Sequence, residues 1–304
     1  MTSKVLVSII MPAYNAESYI SDAINSIIQQ SFTQWELIII DDASTDKTRN
    51  IVNGFEDKRI RSISLKENVG NYSARNIAIN LATGKYIVMH DADDISHTNR
   101  LEIQFDFLER NKLVGCVGSN YEIIYSNKKV RNIVKRHCTY NEFKIKLLED
   151  NYMLQSTIMV RHSILKHYNI RYNESFKYAS DYHFVFQCSK FFKILNLDHI
   201  LLKYRLTPNS ITQSKFEEQQ KYAAKIRLEI FNYYFGEVLN QEDYLIINSL
   251  FNKHSKYCKI ESSEIEDLLN RMLEYNFLNK KFNQNKLYNL FYNHATALIL
   301  TRNL

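Results

Sequence analysis

The chain has 304 residues, of which 45% are hydrophobic and 24% are charged, with only two prolines and six glycines. This composition excludes a disordered chain or a proline- and glycine-rich linker, and it suffices for one large domain or two smaller ones. The formal net charge of +6 fits either ordinary solubility or attraction to anions. The basic residues are scattered, which argues against a nucleic-acid partner.

Cysteines and apolar runs indicate the compartment. Cys116, Cys138, Cys188 and Cys258 form no C-x-x-C pair, which is typical of reduced thiols in the cytosol. We find no signal-peptide pattern and no apolar run approaching 18 residues. We therefore expect a cytoplasmic protein, with the inner face of the membrane as an alternative location.

The first 120 residues alternate between short apolar runs and segments of helical periodicity. Strands are predicted over residues 5–11, 36–40, 60–65, 85–90 and 114–117, and helices over residues 16–30, 44–55, 71–83 and 99–110. The second helix is expected to begin at Ser44, whose hydroxyl is a suitable N-cap. This alternation predicts an α/β fold with a doubly wound, mostly parallel sheet.

Polar clusters follow three of the predicted strands. They occupy residues 12–15, 41–42 and 91–93. Open α/β sheets bind ligands beyond the carboxyl ends of their strands. We therefore expect the three clusters to form one site.

The rest of the chain is less regular and then helical. Residues 120–212 show a mixed pattern, whereas helices are predicted over residues 215–234, 241–252, 261–274 and 285–300. We expect a catalytic domain over residues 1–212, with a donor half of about 1–110 and an acceptor half of about 111–212. The helical region, 213–304, is a candidate for peripheral membrane contact or self-association, because Lys280, Lys281 and Lys286 lie near an aromatic helix.

Four segments in the first part of the chain resemble family 2 glycosyltransferases. They are residues 7–15, 40–46, 68–76 and 84–94, in this order and at these spacings. The resemblance covers roughly the first 110 residues. It implies a GT-A fold, which contains a Rossmann-like sheet. It also implies an inverting transfer of a sugar from a nucleotide-sugar, most simply a UDP-sugar. It also implies Mn²⁺ or Mg²⁺ and a glycan or lipid-linked glycan acceptor in bacterial surface polysaccharide assembly.

Ten residues in or beside these segments are expected to bind the nucleotide-sugar. They are Pro12, Ala13, Tyr14, Glu17, Asp42, Asn68, Arg75, Asp91, Ala92 and Asp93. Pro12 fixes φ and stiffens the loop that frames a base, and Tyr14 could stack on that base. The resemblance gives Asp42 a hydrogen bond from the uracil imide; the alternative is that Asp42 caps the helix at Ser44.

The D-x-D pair, Asp91 and Asp93, is a candidate metal site. Side chains at positions i and i+2 of an extended segment point the same way, and carboxylates are suitable ligands for Mg²⁺ or Mn²⁺. The resemblance makes Asp93 the direct metal ligand and brings Asp91 to ribose or metal. Arg75 is expected to contact the nucleotide or to orient these carboxylates; otherwise it is a solvated helix residue.

The acceptor hydroxyl must lose a proton, so a carboxylate base is required. By resemblance this base is Asp181, where Ser180 replaces the family's usual glutamate, and a helix N-terminus there would favour the ionised form. The alternative is that Asp181 only caps the helix. Thr207 stands where many relatives carry a metal-binding histidine, and residues 155–157 are candidate acceptor contacts. Because Ser180 and Thr207 depart from the family's usual glutamate and histidine, a second function remains open: a non-catalytic nucleotide-sugar-binding subunit.

Overall fold

The computed structural model describes residues 4–207, 215–251 and 260–302. The chain divides into two compact units, each described here by itself. We call residues 1–139 with 153–214 the sheet unit, and residues 140–152 with 215–304 the helical unit.

Within the described residues, the sheet unit contains one sheet of nine strands. The strands are β1 Val7–Ala13, β2 Trp35–Asp41, β3 Ile60–Ser64, β4 Tyr86–Met89, β5 Ile95–Ser96, β6 Val114–Ile124, β7 Val130–Val134, β8 Met159–Arg161 and β9 Lys193–Arg205. Their order is β3-β2-β1-β4-β8-β6-β9-β5, with β7 paired to β6.

Helices flank the sheet in the same unit. They are α1 Ile20–Ile28, α2 Thr48–Asn53, α3 Asn71–Leu81, α4 Arg100–Arg110, α6 His162–His167 and α7 Ser180–Ser189, with a 3₁₀ turn at Gln155–Thr157. The helical unit contains α5 Tyr140–Glu149, α8 Phe216–Phe235, α9 Asp243–Phe251, α10 Ser262–Asn279 and α11 Gln284–Arg302.

Strands β1 to β4 pair in parallel, and β1 lies between β2 and β4. Every residue of β1 and β4 is buried, as expected for strands covered on both faces. Antiparallel pairing begins at β8, although β6 and β9 again run in parallel. The predicted α/β class with a helical C-terminal region is confirmed, and parallel pairing is concentrated in the first half of the sheet.

The carboxyl ends of β1, β2 and β4 place the three predicted polar clusters on one edge of the sheet. Ala13 ends β1, Asp41 ends β2, and the D-x-D follows Met89 at the end of β4. The register pairs Ala13 with Asp41, so the first two clusters are immediate neighbours.

The second helix begins later than predicted, at Thr48 instead of Ser44. Residues 44–46 instead bind the loop after β1: Ser44 Oγ accepts from the backbone N–H of Asn15 at 3.0 Å, and Asp46 accepts from that of Glu17 at 3.0 Å. These polar groups bridge two strand ends and so hold the rim of the site, while Asp46 Oδ1 also accepts from the backbone N–H of Thr48, the first residue of the helix, at 2.9 Å.

Helix α5 groups with the C-terminal helices, although the sequence analysis includes it in the catalytic domain. Within the helical unit, Arg227 of α8 donates to the carbonyl of Glu149 at 2.8 Å, and His294 of α11 lies 3.1 Å from the Glu149 carboxylate. The predicted boundary at residue 212 and Cys258 both lie outside the described residues.

No helix in the described ranges has the length and apolar content that a membrane-spanning helix requires.

Candidate functional site

The loop after β1 carries one exposed aromatic ring, next to buried residues at the end of the strand. Pro12 and Ala13 are buried at the end of the strand, whereas Tyr14 is 52% exposed. Asn15 has a positive φ of 49°, which turns the chain sharply. The Glu17 carboxylate accepts from the backbone N–H of Lys47 at 2.9 Å, which ties the loop to the segment after β2.

Asp42 holds the glycine-containing loop between β3 and α3. Its two carboxylate oxygens accept from the backbone N–H groups of Val69 and Gly70 at 2.8 and 2.9 Å. The Asn68 side chain donates to the Asp42 carbonyl at 3.2 Å. Asp41, not Asp42, accepts from the N–H of Ser44, at 3.2 Å. The bonds of Asp42 therefore fix the rim of the site, which is not the helix cap named as the alternative.

The first aspartate of the D-x-D forms an ion pair with a buried arginine. The Arg75 side chain is 1% exposed, and it donates to Asp91 and to the side chain of Asn71. Burial opposes the charge on Arg75, but Asp91 foremost among its neighbours keeps the arginine's pKa above its ordinary value. Arg75 is thus not a solvated helix residue, and it holds one carboxylate of the pair in place.

The second aspartate lies in a region rich in carboxylates. Burial, followed by the negative charge of Asp91, raises the pKa of Asp93 to about 7, while its own backbone, Arg205 and Arg75 oppose the rise. Burial first, and then Asp93 and Asp91, raises the pKa of the fully buried Asp94 well above its usual range. Three acids within four consecutive positions therefore favour the binding of positive charge at this strand end.

Arg205 fixes the backbone of this acidic turn. Its Nε donates to the Asp93 carbonyl at 2.8 Å, and its backbone N–H donates to Asp94 Oδ1 at 2.9 Å. The remaining guanidinium nitrogens reach the carbonyl of Ser126 at 2.9 Å and Asp22 at 3.2 Å. The last residue of β9 thus fixes the position of the backbone that carries the D-x-D side chains.

The candidate base lies in the first turn of a helix, as predicted. Helix α7 begins at Ser180, so Asp181 benefits from the helix N-terminus. The Tyr72 hydroxyl donates to Asp181 Oδ1 at 3.4 Å. Burial, and then the negative charge of Asp181, raises the pKa of Tyr72 well above its ordinary value. The phenol therefore keeps its proton and acts as a donor.

Tyr72 belongs to a stack of three aromatic rings. Its ring stacks on Tyr172 at 5.4 Å, and Tyr172 stacks on Phe184 at 4.4 Å. Gln155 donates to the Tyr172 hydroxyl. Gln155, Ser156 and Thr157 are all buried, so Gln155, the first of the candidate acceptor contacts, supports the stack.

These contacts join the D-x-D to the candidate base. Arg75 binds Asp91 and lies 5.9 Å from the ring centroids of both Tyr72 and Tyr172, while Tyr72 reaches Asp181. Asp181 is 109 positions from Tyr72 in sequence. Residues from the predicted donor half and the predicted acceptor half of the sheet unit therefore lie together in one place.

The carboxylate oxygens of the D-x-D suit a hard divalent ion that a bound ligand would also coordinate. Asp91 and Asp93 supply carboxylate oxygens, the ligand type that Mg²⁺ and Mn²⁺ prefer. Within the part of the chain that the structure describes, no group of three or more His, Cys, Asp or Glu side chains could hold a metal ion unaided. His90 is buried, with Nδ1 2.8 Å from the Asp91 carbonyl, and therefore packs. Phosphates and water would have to complete the coordination.

The structure brings most of the predicted site residues to one edge of the sheet, and it adds three that sequence reasoning missed. Tyr72, Tyr172 and Arg205 contact the predicted residues but follow no recognisable spacing. Tyr72 could have been singled out because it lies three positions before Arg75, on the same helix face. The resemblance at Thr207 points to the neighbourhood of Arg205 but gives Arg205 no role, and nothing in the sequence places Tyr172 here.

Comparison with known proteins agrees with this architecture. Two solved structures share the fold over nearly the whole chain. TarS from S. aureus, crystallised with UDP-GlcNAc, has a TM-score of 0.65 at 20% identity, covering 98% of this chain and 92% of TarS. A mannosyltransferase from Pyrobaculum calidifontis, in complex with GDP-Man and Mn²⁺, has a TM-score of 0.55 at 15% identity, covering 99% and 80%.

The sequence itself matches the profile described as Glycosyl transferase family 2 over residues 8–169. The Escherichia coli protein WfgD, a UDP-Glc:α-D-GlcNAc-diphosphoundecaprenol β-1,3-glucosyltransferase, is 36% identical over 219 residues, which span 71% of this chain and 83% of WfgD. The profile covers more than half of the chain and includes the strand ends, Arg75 and both D-x-D aspartates. The chain therefore belongs to glycosyl transferase family 2.

Proposed function

We propose that this glycosyltransferase transfers a sugar, with inversion, from a UDP-sugar to a hydroxyl of a bacterial surface or lipid-linked glycan, on the cytoplasmic side of the membrane. The observation that carries the proposal is the series of contacts from Asp91 through Arg75 and Tyr72 to Asp181. It brings a diphosphate-binding element and a candidate base into one site. The UDP-GlcNAc complex of TarS and the lipid-diphosphate acceptor in the name of WfgD favour these substrate classes.

The rim residues suit a nucleotide. In this proposal Tyr14 stacks on the base between the loop that starts at Pro12 and Ala13 and the loop held by Asp42 and Asn68. The oxygens of Asp42 have lone pairs left over for an imide N–H. Glu17 keeps the first loop in place, and Ala92 leaves room between the two D-x-D carboxylates.

Asp93, assisted by Asp91, would hold Mn²⁺ or Mg²⁺, and the bound ion would neutralise charge on the departing diphosphate. Arg75 compensates part of the negative charge of Asp91, so Asp93 is the better metal ligand. Arg205 keeps the turn in position through its bond to the Asp93 carbonyl.

Asp181 is the proposed general base. The acceptor oxygen attacks the anomeric carbon while the bond from that carbon to the diphosphate oxygen breaks. The electron pair of that bond leaves with the nucleoside diphosphate, and the hydroxyl proton passes to Asp181. Tyr72 orients the carboxylate, and the helix N-terminus favours its ionised form.

A donor panel tests the proposal. UDP release is measured from a set of UDP-sugars with Mn²⁺, with and without EDTA, for the wild type and for Asp93→Ala. We expect one preferred donor, with release lost both in EDTA and in the variant. Asp106→Ala, at an exposed acid of the same unit, is the matched control and should behave as the wild type.

The contrary result is informative. Tight UDP binding without release from any donor, even when lipid-linked glycan acceptors are added, would support the non-catalytic binding subunit. Release that is unaffected by EDTA would remove the metal from the proposal but leave the transferase.

A further inference from the structure

The C-terminal part of the helical unit has an uneven charge distribution. Five acids lie between Glu261 and Glu274, whereas no aspartate or glutamate occurs from Tyr275 to Leu304. The acid-free stretch has four cationic residues: Lys280, Lys281, Lys286 and Arg302. The change in composition coincides with the end of α10, just before the chain turns into α11.

At this turn two large apolar side chains face solvent. We call residues 277–281 the hairpin tip. Phe277 is 69% exposed and Leu278 is 77% exposed, and all five residues of the tip are exposed. On α11, Tyr288 and Tyr292 are about half exposed and stack on each other at 5.9 Å. Contiguous exposed apolar side chains of this size are a feature of interaction surfaces in soluble proteins.

The hairpin tip is held in a defined conformation by the residues beneath it. Asn276 is 1% exposed; its side chain donates to the carbonyl of Phe282 at 3.1 Å and accepts from that residue's N–H at 2.8 Å. The backbone N–H of Lys280 donates to the Asn276 carbonyl at 2.7 Å, in a left-handed C-cap. Lys144 donates to the Lys281 carbonyl at 2.6 Å. Phe277 and Leu278 therefore lie at an ordered, hydrogen-bonded turn and not at a frayed helix end.

The charges at the hairpin tip are available to a partner. Lys286 is paired with Glu142 at 2.7 Å, but within the described ranges no carboxylate lies within ion-pair distance of Lys280 or Lys281. A surface that combines exposed aromatic and leucine side chains with unpaired lysines and no acids matches the interface of an anionic bilayer. A two-fold contact between this stretch and the same stretch of a second copy would bring lysines near lysines, with no acid in the stretch to pair them.

We propose that the hairpin tip docks the enzyme on an anionic lipid surface. Phe277 and Leu278 enter the boundary between headgroups and acyl chains, while Lys280 and Lys281 lie at the level of the lipid phosphates. The inference goes beyond the proposed function, and it is measured without turnover, so either can fail while the other stands.

Sedimentation with vesicles tests the inference on the full chain. Vesicles of phosphatidylcholine alone are compared with vesicles that also contain phosphatidylglycerol, at low and high salt. We expect binding to the anionic vesicles only, weakened by salt, because the attraction is screened. Phe277→Ser with Leu278→Ser should reduce binding by about tenfold or more. Lys280→Gln with Lys281→Gln should reduce it by roughly fivefold per lysine, about 25-fold together.

Matched controls separate the hairpin tip from general effects. Leu113→Ser removes a leucine that is 75% exposed in the sheet unit, and Lys58→Gln with Lys129→Gln removes two exposed lysines. Both should bind vesicles as the wild type does. Equal binding to neutral vesicles, no vesicle binding, or equal losses in tip and control variants would each overturn the proposal. Tip variants that dissociate an oligomer but still bind vesicles would also overturn it, and would identify a contact between copies.

Discussion

Each unit holds side chains in environments that oppose folding stability: buried charges near the strand ends of the sheet unit, and large exposed apolar groups at a helix end of the helical unit. In the described residues of the sheet unit, Arg75, Arg100 and Asp94 are fully buried near the strand ends. In those of the helical unit, Phe277 and Leu278 are exposed at a helix end. Burying charge and exposing large apolar groups both oppose folding stability, so each is retained where it serves another purpose. We propose that this purpose is chemistry in the sheet unit and contact with a lipid surface in the helical unit.

The largest expected effect comes from the candidate base. Asp181→Asn should lower kcat by about 10²–10⁴-fold because the acceptor proton loses its carboxylate, while the affinity for UDP should be unchanged. Turnover with acceptor and calorimetric UDP titration measure the two quantities. Asp106→Asn is the control. A variant that retains full kcat would reduce Asp181 to a helix cap.

The comparison of units can be sharpened with one arginine from each. Arg75→Met removes the partner of Asp91 inside the sheet unit and should cost about 1–3 kcal/mol of unfolding free energy, because the Asp91 side chain is 29% exposed; donor binding should be lost as well. Arg271→Met in the helical unit leaves the buried Asp243 unpaired and should cost about 1–3 kcal/mol. It should leave UDP affinity unchanged. Urea unfolding and UDP titration check both; equal losses of UDP affinity would remove the distinction.

A smaller effect is expected at Tyr72. Tyr72→Phe keeps the stack on Tyr172 but removes the hydrogen bond to Asp181. Loss of a hydrogen bond to a charged group should lower kcat by about threefold to tenfold with little change in KM. The acidic limb of the kcat profile should move to higher pH, since the carboxylate loses a donor that favours its charged form, while the guanidinium of Arg75 remains nearby.

The control for this variant is Tyr125→Phe, at a half-exposed tyrosine of the same unit. An unchanged pH profile in Tyr72→Phe, combined with a lower stability, would assign Tyr72 a purely structural part.

The smallest effect is a pH dependence of stability in the sheet unit. Burial, and then Lys190, lowers the pKa of His183 to about 4. Between this pH and the ordinary histidine pKa of about 6.5, the unfolded chain binds more protons, so stability falls as the pH falls through this window. Trp35, buried in β2, is the chain's single tryptophan. Its fluorescence should show that the urea midpoint of His183→Gln rises relative to that of the wild type when the pH is lowered from 7 to 5. This difference isolates His183 from Asp93 and Asp94, whose raised pKa values act on stability in the opposite direction.

Much of the sheet could be predicted because the signal is local. Strands β1 and β4 are apolar runs interrupted only by Ser8, and polar residues follow each run at the point where the chain leaves the core. The D-x-D and Arg75 were identified by resemblance, and their contact follows from where a helix and a strand end must meet. The predicted start of α2 was wrong because Ser44 and Asp46 bind a loop 29 positions earlier, while Asp46 also accepts from the backbone N–H of Thr48, where the helix begins.

Other parts could not be predicted because they depend on contacts remote in sequence. Arg205 binds the carbonyl of Asp93 across 112 positions, and only the folding of β9 against β5 brings them together. The exposed state of Phe277 is equally invisible, since its helix also carries buried Leu268 and Met272. Periodicity shows that a helix is amphipathic, but it does not show which neighbour covers each position.

The grouping of α5 with the C-terminal helices has a consequence for biosynthesis. Phe143, Leu147 and Leu148 of α5 are buried in the finished protein, where α5 packs with α8 and α11. At ribosomal speeds of about 5–20 residues per second, α5 leaves the ribosome several seconds or more before α8. During this interval its apolar face has no partner from its own unit, which makes the nascent chain a candidate for chaperone binding. In a chain truncated before α8, the apolar face of α5 would never be covered by α8 and α11.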